Sequence, residues 1–350
     1  MTIWEAIIQG IVQGLTEFLP VSSSGHVSIV QHFLNKNIEG AQAFTLFLHF
    51  GTLVAVFVVY YKLIWDLIRE FFRMAGDLFS DQWALITKGK GKFRPRFSWK
   101  LASMSETRRM VIFLIVACMC AILLFLPVLG MFGLYDRSGE LVKTISDLSA
   151  YTSEDKDIML EGFMLLLTGG LLLYATKIAR QRGTRGSAMT MKSALAMGVG
   201  QCFAAMPGLS RSGTTTTLGM ITGTEKNKAL EFSFILGVPT ILAANVLEIA
   251  TMTDAERAEF ELLPVIFGMS FAAIFGVIAI AGLRWIVGND KLHYFGYYCL
   301  AAGLVVIIIA IVETATGCGG ANAGELLAEV SGGDVTTPTD VVASMADVIG

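Results

Sequence analysis

The sequence predicts an all-α polytopic membrane protein of two inverted-topology repeats, each a re-entrant helix–loop–helix plus three transmembrane helices. Three observations carry this expectation. Hydrophobic residues make up 54% of the 350 positions and charged ones 16%, against about 25% charged in soluble domains, and the mean hydropathy is +0.64. Six apolar stretches approach or exceed the roughly 20 residues that cross a hydrocarbon core, while four shorter ones are interrupted by Pro, Gly and Ser. Finally, the chain matches itself at an offset of 188. Ala6, Gly10, Gln13, Ser22, Ser24 and Gly25 fall on Ala194, Gly198, Gln201, Ser210, Ser212 and Gly213, and Phe44, Leu48 and Thr52 fall on Phe232, Leu236 and Thr240.

The first repeat is expected over 1–187. Its stretch 3–19 stops at Pro20-Val21-Ser22-Ser23-Ser24-Gly25-His26 and resumes only briefly at 27–34. Non-helical backbone at membrane depth survives only where it packs in protein or lines a wet cavity, so 3–36 reads as a re-entrant hairpin. Spans follow at 41–61, 110–134 and 160–178. Between the first two, the loop 62–109 carries eleven Lys/Arg against five acids. Its early part has helical apolar spacing at Leu63, Ile64, Leu67, Ile68, Phe71 and Phe72, with Trp65, Trp83 and Trp99 nearby, as expected of a helix on an anionic leaflet. A basic run beside a membrane span argues for lipid contact and against nucleic acid.

The second repeat, 188–313, repeats the pattern. Its hairpin is 191–223, broken at Pro207-Gly208-Leu209-Ser210-Arg211-Ser212-Gly213, and its spans are 231–252, 263–287 and 294–313. Three spans per repeat is an odd number, so the second repeat enters the membrane inverted, which places a site between the two broken helices near the midplane. The segment from Lys177 to Lys192 carries five Lys/Arg and no acid, whereas 135–159 and 253–262 are acid-rich. The positive-inside rule therefore puts 62–109 and 177–192 in the cytoplasm, opening the first hairpin outward and the second inward with their tips meeting inside. The tail 314–350 has no Lys or Arg and is rich in Gly, Ala, Thr and Asp; it is expected outside and disordered. No cleaved signal is expected at Met1-Thr2-Ile3-Trp4-Glu5. The cysteines Cys118, Cys120, Cys202 and Cys299 lie in apolar sequence, with Cys318 alone in the tail, and read as packing residues.

Arg211 stands alone in an otherwise uncharged stretch, where a basic side chain costs on the order of 3 kcal/mol on the mildest scale. Either a carboxylate such as Glu17 or an anionic ligand must compensate it. Guanidinium holds phosphate oxygens bidentately, Ser210, Ser212, Thr214 and Thr215 add hydroxyls, and Gly208 and Gly213 permit a turn with exposed amides. These features together describe an oxyanion cradle. In the first hairpin Gln13 and Glu17 share a helix face, and Glu17 and His26 flank Ser22, Ser23 and Ser24. The carboxylate can hold a divalent ion or orient the histidine. The histidine can be a general acid/base, typically worth about 10² to 10⁴ in rate, or a nucleophile, and a serine beside it permits a covalent phospho-enzyme. The blander readings are a structural Glu17–Arg211 ion pair and serines that only cap broken helices. Ala205 fills the slot of Glu17 in the second repeat, so the carboxylate is kept on one side only, which favours a specialised site. His49 reads as a hydrogen-bonded span residue and His293 as an interfacial one; neither they nor His32 receives a role.

The runs Gln13-Gly14-Leu15-Thr16-Glu17-Phe18-Leu19-Pro20-Val21-Ser22-Ser23-Ser24-Gly25-His26 and Pro207-Gly208-Leu209-Ser210-Arg211-Ser212-Gly213-Thr214-Thr215 resemble the two signatures of the undecaprenyl-diphosphatase family, the bacitracin-resistance membrane phosphatases, over about 1–313. Glu231-Phe232-Ser233-Phe234 also looks familial. The resemblance implies a bacterial inner-membrane enzyme that removes the terminal phosphate of undecaprenyl diphosphate and recycles the lipid carrier, opening to the periplasmic side. It places a divalent cation, Mg or Ca, on Glu17, with Gln13 where many members have Glu. It places phosphate on Arg211 and Ser210, and His26 and Ser23 at the reacting centre, leaving open which of them, or water, attacks phosphorus. Ser22, Ser24, Ser212, Gly213 and Thr215 complete the expected substrate contacts. The expected partners are a polyprenyl diphosphate and membrane lipid, with a homodimer as a candidate assembly and no nucleic acid. A transporter or flippase for a phosphorylated lipid or anion is the rival, because inverted repeats with paired re-entrant hairpins also build transporters.

Overall fold

A computed structural model describes residues 2–33, 38–88, 101–125, 158–181, 187–206, 208–251 and 261–316. The acid-rich loops, most of the basic loop beyond Lys88, Pro207, Cys318 and the tail from 317 onward lie outside the described residues. Among the described residues the fold is helical: α1 (Ile3–Phe18), α2 (Ser23–Phe33), α3 (Ile38–Lys88), α4 (Glu106–Met119), α5 (Met159–Gln181), α6 (Met191–Phe203), α7 (Arg211–Ile221), α8 (Lys226–Thr251), α9 (Leu262–Gly288) and α10 (His293–Thr316). Stretches of α3, α5, α8, α9 and α10 are long and apolar enough to cross a membrane.

The four short helices have a different logic. At 1.5 Å per residue, α1, α2, α6 and α7 are about 24, 16, 20 and 16 Å long, less than the roughly 30 Å of a hydrocarbon core. Each pair is held by capping at its bend. Ser22 Oγ accepts the Gly25 amide at 3.3 Å and Ser210 Oγ accepts the Gly213 amide at 3.1 Å. Both hydroxyls also lie 3.3 Å from the serine two residues on, Ser24 and Ser212. The 188-residue register is thus reproduced hydrogen bond for hydrogen bond.

Packing repeats as well. α1 lies against α9, and α6 against α4. At Gly10 an added Cβ would sit 2.4 Å from the Gly268 carbonyl oxygen, and at Gly198 it would sit 2.7 Å from Ala117. Small residues at matched positions let both backbones approach closely. α5 and α10 form a third pair, and α3 packs on α8 and α9. A parallel bridge between Ser187 and Thr224 ties the two ends of the second hairpin, with Thr224 Oγ1 donating to Ser193 Oγ at 2.8 Å.

One expectation meets a different outcome. The sequence ends the first span near 61, but α3 continues to Lys88 with only a local departure from helical geometry at Tyr60 (φ −113°, ψ 21°). The 62–88 segment contains no proline and one glycine, Gly76, so nothing breaks the helix. Ile64, Leu67 and Met74 turn into the bundle, while Trp65, Phe72, Phe79 and Trp83 are exposed. Arg108 joins α4 to this extension, donating to Glu70 at 2.5 Å and to Asp77 at 3.0 Å. The expected span 110–134 is described only to Phe125, as α4 and a 3-10 turn over Cys120–Phe125. Cys118, Cys120, Cys202 and Cys299 are free thiols, and Cys299 Sγ donates to the Pro20 carbonyl at 3.4 Å.

A cavity of about 350 Å³ lies between α3, the start of α8 and the end of α9, lined by Tyr60, Asn227, Leu230, Glu231, Arg284 and Gly288. It shares no residue with the hairpin tips.

Candidate functional site

The two hairpin bends meet. Ser212 Oγ donates to the Leu19 carbonyl at 3.2 Å, and the Gly208 amide donates to Ser24 Oγ at 3.4 Å. Backbone geometry at the bends is unusual: Ser22 has φ +70° and Gly208 has φ +83°. A serine in that region is uncommon, and such residues cluster where the surrounding structure over-determines them.

Glu17 is the hub of the junction. It occupies the last turn of α1, buried to 6% exposure. Its Oε1 accepts from Arg211 Nη2 at 2.9 Å, and its Oε2 accepts from Ser23 Oγ at 2.6 Å and Gln13 Nε2 at 3.0 Å. A buried carboxylate is tolerable only with such partners. The one-turn spacing on α1 brings Gln13 to it, the capped bend brings Ser23, and the start of α7 brings Arg211.

Arg211 lies across α8. Its Nη1 donates to the Ser233 carbonyl at 3.4 Å, and the place where a Cβ on Gly237 would be is 2.3 Å from that nitrogen. Gly237 therefore makes room for the guanidinium. Thr215 Oγ1 donates to the Arg211 carbonyl at 2.8 Å and lies 2.6 Å from Ser233 Oγ; with its proton engaged, it accepts from Ser233. The Ser210 amide donates to Thr168 Oγ1 at 3.2 Å, fixing the second bend on α5. The Gly213 amide and the Thr215 hydroxyl, both expected to touch substrate, are engaged within the protein and brace the cradle.

Serine and histidine of the first bend have separate partners. Ser23 bonds to Glu17, whereas His26 Nδ1 is 2.7 Å from the Ser22 carbonyl and its Nε2 is 2.6 Å from Tyr298 Oη. A carbonyl only accepts, so Nδ1 carries the proton and the neutral ring offers its Nε2 lone pair to the phenol. The two rings are near parallel, 5.7 Å between centroids.

Sequence reasoning missed three contributors. Tyr298 sits 272 residues from His26, and no local spacing announces it. Ser233, within the run Glu231-Phe232-Ser233-Phe234, has its carbonyl on Arg211 and its hydroxyl on Thr215. His49, set aside as an ordinary span residue, has Nε2 3.7 Å from Glu17 Oε2. Its place one turn after Thr45 on the helix that follows the first hairpin was the available signal.

Residues 6–305 match the family described as bacitracin resistance protein BacA. An undecaprenyl-diphosphatase of Alkaliphilus metalliredigens is 34% identical over 313 residues, covering 89% of this chain and 100% of the relative. One from Methanobrevibacter smithii is 35% identical over 89% of this chain and 99% of its own length. A third, from Treponema denticola, is 34% identical over 87% and 96%.

Proposed function

The chain belongs to the bacitracin resistance protein BacA family, and we propose from that premise that it is an undecaprenyl-diphosphatase of the bacterial inner membrane. It hydrolyses undecaprenyl diphosphate to undecaprenyl phosphate and inorganic phosphate, recycling the carrier for cell-wall synthesis and conferring bacitracin resistance. The observation that carries this reading is the junction at which Glu17 joins Ser23 to Arg211.

The two short-helix hairpins are read as re-entrant and the two repeats as inverted. The matched pairs α1 with α9 and α6 with α4 support this, because each hairpin packs on the second span of the opposite repeat. With the basic segments in the cytoplasm, the prenyl chain lies in lipid and the diphosphate reaches the bends from the periplasmic side.

Phosphoryl transfer is mostly positioning and charge stabilisation. Arg211 binds the terminal phosphoryl oxygens, with the hydroxyls of Ser22, Ser24, Ser210 and Ser212 around it. Glu17 receives the Ser23 proton along the existing 2.6 Å hydrogen bond, leaving the serine oxygen, or a water held in its place, to attack the terminal phosphorus. The bond from that phosphorus to the bridging oxygen breaks, and undecaprenyl phosphate leaves. Water then attacks the phosphorus held on Ser23 and gives a proton to His26 Nε2, where Tyr298 now sits; the Ser23 O–P bond breaks, Glu17 returns its proton to the serine oxygen, and inorganic phosphate leaves. Gln13 Oε1 is buried with no hydrogen-bond partner, which suits a hard cation beside a carboxylate. Glu17 and Gln13 would hold Mg or Ca, which supplies positive charge to the phosphoryl oxygens.

The test is phosphate release from undecaprenyl diphosphate by the purified protein and by His26→Ala, each with and without a chelator. Metal-dependent release that is lost in the variant is the expected result. A folded protein that binds the lipid without releasing phosphate would instead be a transporter built on this scaffold.

A further inference from the structure

We propose that His49 is a ligand of the divalent-cation site, binding through Nε2 alongside Glu17 and Gln13; the proposal rests on the reading of those two residues as cation-binding. Its starting point is a fixed ring orientation. His49 Nδ1 lies 2.9 Å from the Thr45 carbonyl, one helical turn earlier on α3. That oxygen can only accept, so Nδ1 donates to it and Nε2 is the ring atom left to face the first hairpin. Metal-binding histidines are held in this way, with the other ring nitrogen donating to a carbonyl or carboxylate.

This nitrogen faces a carboxylate. Nε2 is 3.7 Å from Glu17 Oε2, well beyond the roughly 2.9 Å of an N–H···O hydrogen bond. A nitrogen and an oxygen on one ion, each at about 2.1 Å, stand roughly 3 to 3.6 Å apart at ordinary coordination angles. The observed separation lies just above that interval.

Gln13 supplies the third donor. Its Nε2 donates to the same Oε2 at 3.0 Å, and its Oε1 is buried without a partner. Reversing the amide would point its oxygen at the carboxylate, so the assignment stands. Among the described residues no three His, Cys, Asp or Glu side chains form a metal cluster; this set is one carboxylate, one amide and one imidazole. Three protein donors with remaining positions open to water or phosphate oxygens are the pattern of catalytic sites, whereas structural sites are closed. A nitrogen among oxygens also shifts preference from Ca toward transition ions such as Mn.

The experiment uses Mn²⁺ alone with the purified full-length protein in detergent, read by electron spin echo envelope modulation. Bound Mn²⁺ should show ¹⁴N modulation from one imidazole. That modulation should vanish in His49→Gln, with Mn²⁺ affinity lowered by about tenfold or more, and persist in His26→Ala. Gln13→Glu should bind Mn²⁺ more tightly and keep the nitrogen signal, so the proposal is testable even if His49→Gln does not fold. Absence of Mn²⁺ binding, binding without nitrogen coupling, or coupling that survives in His49→Gln overturns it. Binding without nitrogen coupling leaves the phosphatase reading intact. Nitrogen-coupled Mn²⁺ in a protein that releases no phosphate leaves His49 in place and removes that reading.

Discussion

Glu17 and Arg211 are 194 residues apart in the chain, yet the arginine donates to the glutamate at 2.9 Å. The contact joins two hairpins that have no covalent reason to meet. An isolated charge at membrane depth is expensive, so each residue makes the other tolerable. The pair describes the resting site; in the proposed mechanism an incoming phosphate competes with Glu17 for the same guanidinium.

Removing one partner should therefore cost both folding and turnover. Arg211→Ala leaves a buried carboxylate with only neutral donors, a loss of about 3 to 5 kcal/mol for a broken buried pair, and abolishes phosphate release. The double variant Glu17→Gln/Arg211→Gln should recover much of the stability in detergent denaturation and none of the activity. Normal activity in Arg211→Ala would falsify the site assignment.

Gly237→Ala probes the same guanidinium without touching a charge. A Cβ there would press on Arg211 Nη1 from 2.3 Å, displacing the tip of a flexible side chain while α8 remains helical. Phosphate release should fall by at least about tenfold, since small misplacements in such sites are costly, with circular dichroism unchanged. Wild-type kinetics would mean the guanidinium is free to move.

Tyr298→Phe removes the hydroxyl that His26 Nε2 faces at 2.6 Å. The expected signature is a kcat about tenfold lower or more, within the range of acid–base assistance, with KM nearly unchanged. A rise in KM at constant kcat would assign Tyr298 to lipid binding.

Ser22 combines a positive φ of 70° with a cap on the Gly25 amide. Asparagine tolerates that region and caps helices well, so Ser22→Asn should retain stability. Ser22→Val should lose about 1 to 3 kcal/mol in a chemical denaturation series. Equal stability of the two variants would show that the bend relaxes.

Asp290, between α9 and α10, binds Lys226 of α8 and Arg180 of α5. Partial burial pushes its carboxyl up, but the two cations outweigh this and hold it below the ordinary aspartate value of 3.8. Between the folded and unfolded values the unfolded chain binds more protons, so stability rises with pH there. The contribution is complete above the ordinary value and disappears as pH falls through the lowered one. Asp290→Asn should accordingly lower the melting temperature slightly at pH 7, by less at high salt, and match wild type in strong acid.

The sequence made some of this architecture readable. Pro, Gly and Ser inside apolar runs have few uses other than a bend, so both hairpins and the residues at their tips were legible. Charge isolated Arg211, and helical spacing paired Gln13 with Glu17. The length of α3 was not legible, because a span and its extension differ only in polarity and both favour helix. Nor were the contacts of Tyr298 and Thr168, made between elements far apart in sequence, or those of Ser233, made between the successive helices α7 and α8. The pairing of Ser23 with Glu17, instead of with His26 three residues on, depends on how the capped bend turns, which residue spacing does not encode.

The matched capping of the two bends has a consequence for how this site is built. At the 188-residue offset, Ser23 and Arg211 occupy the same place in their hairpins, and both donate to Glu17. One carboxylate is thus met from the same register position of both hairpins, by an alcohol from one and a cation from the other. A symmetric pair of identical half-length chains would have to use the same residue in both places. Because the two hairpins are unlike halves of one chain, the same place can hold an alcohol in one and a cation in the other.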